Sequence, residues 1–287
     1  MNPMTHIKLC GFADEADANR LGQIKALTEN NIPYLEIRGV DGTNIADLSR
    51  EAALQFKSEL DAAGIQVWSI GSPAGKTQIS GCFDDDIAKF NHLLDMAEIF
   101  EAKRIRLFSF YGTNGDDAYF DEICRRLNIF CDLCDKHGVI PCHENEKGIY
   151  GDIAERCVKL HQAVPRLKAV FDPANFIQCG VDPLTAYQKL RKNIACFHIK
   201  DAVMSDGEVV PAGKGDGHIA HILTDFAKDH EGVMLTVEPH LKSFAGLKDH
   251  TSMKKMPRHI YKDNNESFDA AVTALKNILE ERGLSYE

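Results

Sequence analysis

Residues 167–202 read LKAVFDPANFIQCGVDPLTAYQKLRKNIACFHIKDA and hold one complete strand–helix–strand unit. Leu167–Asp172 is a short β-rich run that ends in a carboxylate. Leu184, Tyr187 and Leu190 then recur at helical spacing, and Ile194–Lys200 is a second β-rich run that ends in an imidazole and an ammonium. Such a unit joins two parallel strands through a right-handed crossover. Both runs end in ionisable residues.

The unit repeats along the chain. Further β-rich runs are predicted at Ile7–Phe12, Tyr34–Arg38, Ile65–Gly71, Arg104–Phe110, Gly138–Glu144 and Val233–Glu238. Between and after them lie apolar residues at helical spacing, such as Leu48, Ala52, Phe56 and Leu60, or Phe268, Val272, Leu275 and Leu279. Eight strands alternating with eight helices are enough to close a parallel sheet, so the expected fold class is α/β, a (β/α)8 TIM barrel. No GxGxxG follows the first run, which argues against an open dinucleotide-binding sheet. No linker or shift in composition divides the chain, so residues 1–287 are read as a single domain.

Composition excludes several classes of function. The 287 residues carry 33 Lys+Arg against 43 Asp+Glu, a formal charge of −10, which lacks the cationic excess that a nucleic-acid backbone requires. No apolar run reaches the ~18 residues of a membrane span. His6 and Lys8 interrupt any signal-peptide core, so a cytoplasmic protein is expected. The nine cysteines sit mostly in apolar segments, and the CxxC of Cys131 and Cys134 has no second pair at zinc-ribbon spacing.

In a barrel of this kind the chemistry lies where the strands end. Glu144, Asp172, His198 and Glu238 end four consecutive runs. Neighbouring strands lie ~4.8 Å apart, so the four side chains can meet above the barrel mouth. Three carboxylates that close do not all stay ionised without a compensating cation. One divalent metal ion fits that set, with Mn, Mg, Co and Zn all compatible. The other strand ends offer Glu36, Arg38, Ser72, Arg106 and Lys200 as substrate-binding groups, with Arg38 or Arg106 the alternative buried partner of Glu36. Strand alternation turns His143 outward, whereas His240, beyond Pro239, can turn back into the pocket.

Around these positions the chain resembles the sugar phosphate isomerase/epimerase family with its xylose-isomerase-like TIM barrel. The likeness runs from about Ile7 to Leu279 and rests on YLEIRG at 34–39, GSPAGK at 71–76, IRLFSFYG at 105–112, HENEKGIYGD at 143–152, FDPANF at 171–176, HIKDA at 198–202, GKGDG at 213–217 and TVEPH at 236–240. It implies metal ligation by Glu144, Asp172, His198 and Glu238, with Glu144 and Glu238 as the paired catalytic acid–base groups. The implied reaction is isomerisation or epimerisation of a sugar or sugar phosphate through an enediolate, for which a metal stabilises the developing charge. Many epimerases of this group carry histidine three residues after the aspartate. Here that position is Asn175, whose amide binds a hydroxyl but does not titrate near neutrality.

Weaker motifs fill in the rim. GSPAGKT has three residues between its glycines where a nucleotide-binding P-loop needs four, which leaves Lys76 and loop N–H groups to meet a hydroxylated or anionic ligand. Lys200 in HIKDA and Lys214 in GKGDG are further substrate-binding candidates. The stretch from His240 to Lys262 is rich in lysine, and reads as a solvated loop or as the contact of a homo-oligomer. The alternatives to an isomerase are a metal-dependent dehydratase like the inosose dehydratases of this fold, or a non-catalytic sugar-binding barrel. The endonuclease branch needs a histidine-rich multi-zinc site and a basic groove, neither of which is evident. The expected partner is a small-molecule carbohydrate, with no nucleic acid and no membrane.

Overall fold

The computed structural model describes residues 6–244 and 257–287. Eight strands form the closed barrel: β1 (His6–Gly11), β2 (Tyr34–Ile37), β3 (Gln66–Ile70), β4 (Arg104–Leu107), β5 (Ile140–Glu144), β6 (Lys168–Phe171), β7 (Ile194–Ile199) and β8 (Gly232–Val237). Every pair is parallel and each strand neighbours the next in sequence, with β1 closing on β8. Around them run α1 (Arg20–Glu29), α2 (Arg50–Ala62), α3 (Phe83–Ile99), α4 (Phe120–His137), α5 (Ala154–Ala163), α6 (Pro173–Gln178), α7 (Pro183–Leu190), α8 (Ile219–Phe226) and α9 (Asn264–Glu281). The fold is a single α/β TIM barrel domain. No helix among the described residues is long and apolar enough to cross a membrane.

Period-two alternation sorts each strand into two surfaces. Outward residues such as Leu9, Leu35, Leu107, Phe197 and Leu235 join Phe56, Phe90, Phe130 and Leu275 of the helices in the main core. Inward residues Cys10, Cys142, Val170, Cys196 and Met234 fill the lower barrel, with Tyr34 and Trp68 against them and the Arg104 guanidinium 3.6 Å from the Trp68 ring. Two residues further up, most of these strands turn polar. Cys142 gives way to Glu144, Cys196 to His198, Met234 to Thr236 and Tyr34 to Glu36. A packed plug of sulfur and branched side chains thus floors the polar layer and keeps it at the C-terminal mouth.

Most strand ends fall within one residue of the sequence expectation; two strand boundaries and one added helix depart further, each for a local reason. Gly138 has φ 65° and caps α4 in the left-handed conformation, so β5 begins at Ile140 rather than at Gly138. β4 stops at Leu107 because the N–H groups of Phe108 and Phe110 donate to Ala74 and Gly75 of the GSPAGK loop. That approach leaves no room for a side chain, since a Cβ on Gly75 would lie 2.1 Å from the Phe108 carbonyl oxygen. The extra helix α6 opens directly at Asp172 and supplies the capping geometry used by the site.

Candidate active site

Asp172 is the N-cap of α6. Its Oδ1 accepts from the backbone N–H of Asn175 at 2.9 Å, and Asn145 clamps its backbone on both sides, at 2.9 and 3.0 Å. Oδ2 is left for the barrel mouth. Buried, it accepts no aligned hydrogen bond, although the Lys200 ammonium stands 2.8 Å away. Glu144, Asp172, His198 and Glu238 each expose 3% or less of their surface, and each offers one ligand atom within 4.8 Å of the others. The four predicted strand ends therefore converge.

His198 stands at the centre. Its Nδ1 lies 3.1 Å from Glu144 Oε1 and 3.6 Å from Glu238 Oε2, while Nε2 faces Glu36 Oε2 at 3.1 Å. Glu36 also accepts from the Thr236 hydroxyl at 3.0 Å. It lies on the far side of the imidazole, and neither arginine is its partner. Arg38 instead binds Asp14 through Nε and Nη2, Glu15 through Nη2 and Glu238 through Nη1, all at 2.9–3.1 Å. Arg106 donates to Glu144 Oε2 at 3.1 Å and to the carbonyls of Gly71 and Ser72. Both guanidiniums face the Phe12 ring.

Burial opposes every charge in this layer, and the neighbours decide which survive. Burial raises the Glu144 carboxyl, but His198 and Arg106 outweigh it and hold the group at about 2. Burial likewise raises Glu238, against which Lys200, His240, His198 and Arg38 bring it well below the ordinary carboxylate value. Asp172 is pushed up to about 7, by burial first and then by Glu238 and Glu144, with Lys200 opposing. Burial lowers His198, yet Glu144 and Glu36 carry it up to about 10.

The remaining expected residues divide. The Asn175 amide donates to Glu144 Oε1 at 3.2 Å and to the Asn145 carbonyl at 2.9 Å, so it orients a glutamate. Ser72 is fully buried, its hydroxyl spent on the Arg106 carbonyl and the Ala74 N–H. Lys76 pairs with Glu146 at 2.9 Å and lies over Phe108 at 4.3 Å. Lys214 is exposed on its loop and makes no hydrogen bond or ion pair to the cluster. His143 is buried and meets the Ser109 hydroxyl at 3.0 Å. His240, held at φ 46°, does turn back, and its Nε2 lies 3.4 Å from both Glu15 Oε1 and Glu238 Oε1. In the basic stretch, Arg258 pairs with Asp206 and Glu208, whereas Lys248, Lys254 and Lys255 lie outside the described residues.

Three contributors escaped the sequence reading. Asp14 and Glu15 follow β1 in FADEAD and hold Arg38; the strand-end rule extended to the first strand would have found them. Asp201 binds the N–H groups of Ala202, Gly213, Gly215 and Gly217, tying the GKGDG loop to the barrel.

The donor set fits a divalent ion. Three carboxylates and one imidazole offer ligand atoms within 4.8 Å of one another, and Asp172 Oδ2 lies buried without an aligned hydrogen bond, so the set is oxygen-rich with one nitrogen, as such an ion requires.

Comparison with known proteins agrees with the architecture. A 3-dehydroshikimate dehydratase from Bacillus anthracis is 26% identical over 182 residues, which are 62% of this chain and 65% of that enzyme, so the match spans less than two thirds of the relative. Among solved structures, an L-ribulose 3-epimerase superposes with a TM-score of 0.71 at 15% identity, covering 98% of this chain and 96% of its own. A xylose isomerase-like TIM barrel protein from Mycobacterium smegmatis in complex with magnesium gives 0.65 at 15% identity, covering 96% and 98%. The sequence profile described as xylose isomerase-like TIM barrel matches residues 24–263, and the chain belongs to that family.

Proposed function

We propose that this chain is a divalent-metal-dependent isomerase or epimerase of a sugar or sugar phosphate, with Glu144, Asp172, His198 and Glu238 as ligands and Glu144 and Glu238 as the acid–base pair. The observation that carries the reading is the convergence of those four ligand atoms within 4.8 Å in a buried layer at the barrel mouth. A divalent ion bound there would polarise the substrate carbonyl and stabilise the negative charge that develops on its oxygens. The chain's own groups handle the proton. One glutamate takes it from the carbon next to the carbonyl and the other returns it. Return to the same carbon from the opposite face gives an epimer, and return to the neighbouring carbon gives an aldose–ketose isomer.

The glutamate that acts as base must be ionised, a form the neighbouring cations favour at both positions, and the glutamate that returns the proton must carry one when the negative charge develops on the substrate. Arg106 and Asn175 fix Glu144, and Arg38 fixes Glu238, so neither carboxylate has to be ordered during the reaction. Lys76, Lys200 and Lys214 remain the candidates for substrate contact, with Lys214 carried on the loop that Asp201 anchors.

A second reading is a dehydratase. The name of the Bacillus anthracis relative favours it, because the same loss of a proton expels water when a β-hydroxyl is aligned. One experiment separates the two. The Mn²⁺-loaded protein is incubated in D₂O with a panel of ketoses, their phosphates and cyclic β-hydroxyketones. Deuterium entering substrate C–H with conversion to a stereoisomer or aldose supports the isomerase; a rise in enone absorbance supports the dehydratase. The absence of both signals from metal-loaded protein would overturn the assignment of proton transfer.

Glu36 provides a test of the ligand geometry. By accepting from Nε2 it leaves Nδ1 facing the cluster, as a metal-binding imidazole requires. Glu36→Gln is expected to weaken Mn²⁺ binding roughly 10–100-fold in calorimetric titration. Unchanged affinity would show that Glu36 does not set the imidazole.

A further inference from the structure

We propose that Lys200 is a built-in counter-cation of the four-ligand centre, holding Asp172 and Glu238 in the metal-free protein and giving way when a divalent ion binds. The inference rests on the reading of Glu144, Asp172, His198 and Glu238 as a metal site, and goes beyond it by naming what the ion must displace.

The case is made by which oxygens Lys200 touches. Its ammonium lies 2.8 Å from Asp172 Oδ2 and donates to Glu238 Oε2 at 2.9 Å. These are the two oxygens turned to the cluster. Asp172 Oδ1 is taken by the α6 cap and Glu238 Oε1 by Arg38, while Glu238 Oε2 lies 3.6 Å from His198 Nδ1. Lys200 therefore spends its charge on ligand atoms, and makes no ion pair outside the ligand set among the described residues.

The two arginines behave differently. Arg38 grips Glu238 by the other oxygen and is held by Asp14 and Glu15; Arg106 grips Glu144 by Oε2, away from His198, and is held by two carbonyls. Both can stay in place with an ion present. Lys200 cannot keep both contacts, because the ion needs the same oxygens. Its flexible four-carbon stem allows it to leave, which a guanidinium fixed at several points would not. Without either cation, Asp172 Oδ2 and Glu238 Oε2 would lie buried with no lysine, arginine or metal ion against them, so an exchange of cations keeps those two oxygens partnered in both states.

The test is Mn²⁺ titration, followed by calorimetry and by the electron paramagnetic resonance of free Mn²⁺, into the metal-free full-length protein and its Lys200→Met and Lys200→Arg variants. Lys200→Met is expected to bind Mn²⁺ at least about tenfold tighter than wild type and to melt at a lower temperature when metal-free. Lys200→Arg, which keeps a cation there, is expected to bind no tighter than wild type. If wild type binds one Mn²⁺ and Lys200→Met binds it no tighter, the counter-cation is overturned and the metal centre stands. If neither protein binds Mn²⁺, both readings fall. Should Lys200→Met not fold without metal, reductive methylation of wild type decides. Lys200 is expected to be protected in the metal-free protein and to react once Mn²⁺ is bound, and protection unchanged by Mn²⁺ would overturn the proposal.

Discussion

Glu238→Gln is expected to lower turnover on the order of 10²–10⁴-fold, and Glu144→Gln by a similar factor, with the fold intact. The amide keeps an oxygen for Arg38 or His198 but cannot accept the substrate proton, so the loss falls on the chemical step. Because each glutamate is also a proposed ligand, turnover has to be measured at saturating Mn²⁺, with thermal unfolding recorded beside it. The two variants should also differ in kind. The one that retains the base for a given substrate direction should still wash solvent deuterium into that substrate without converting it. The one that has lost the base should do neither. A variant that keeps more than about a tenth of wild-type turnover with metal saturated would remove its glutamate from the acid–base pair.

These two residues were legible because they obey a rule that needs no tertiary information. In a parallel barrel the last inward residue of each strand faces the mouth. Glu144, Asp172, His198 and Glu238 sit in phase at the ends of β5 to β8, and the alternation that places Cys142 and Cys196 in the lower barrel raises Glu144 and His198 above them. The eight strands and their order were legible for the same reason, since short β-rich runs alternate with helical spacing.

Partnership was not legible. Glu36 meets His198 across 162 positions and Arg38 meets Glu238 across 200, and no spacing rule couples residues so far apart. From sequence alone, Glu36 and the arginines at strand ends were natural partners, yet closure of β1 on β8 brings the Arg38 guanidinium to Glu238 and FADEAD instead. Glu15 was hidden for another reason. It lies in a short 3₁₀ turn after β1, where neither strand nor helix periodicity signals burial, and it is 2% exposed. Lys214 shows the converse. Its glycine-rich setting is shaped by Asp201 beneath it, because a Cβ on Gly215 would lie 2.3 Å from the Ala202 carbonyl oxygen, and the lysine side chain itself stays in solvent.

Acidification is expected to destabilise the metal-free protein through His161 alone by about 3 kcal/mol between pH 7 and pH 4. His161 lies in α5, 4% exposed, with an unpartnered Nδ1. Burial lowers it to about 4, partly opposed by a hydrogen bond at the Leu167 backbone. His143, whose ring centroid is 6.1 Å away, is lowered to about 3 by burial and then by His161, so protonating one imidazole makes the other harder to protonate. A histidine lowered from 6.5 binds fewer protons folded than unfolded. Its contribution is therefore complete above about pH 6.5 and is lost as pH falls through the folded value. Asp172 and Glu15 act with the opposite sign. Burial is the largest cause of their rise to about 7 and about 8, so their contribution is present at acid pH and lost as pH rises. The total profile mixes both signs, and the informative quantity is a difference. Urea unfolding of wild type and His161→Gln at pH 7, 5.5 and 4.5 should show the variant's stability falling less steeply, by close to one bound proton in the middle of the range. Equal slopes would mean that His161 is protonated in the folded state as readily as in the unfolded chain, and that burial behind β5 does not govern its charge.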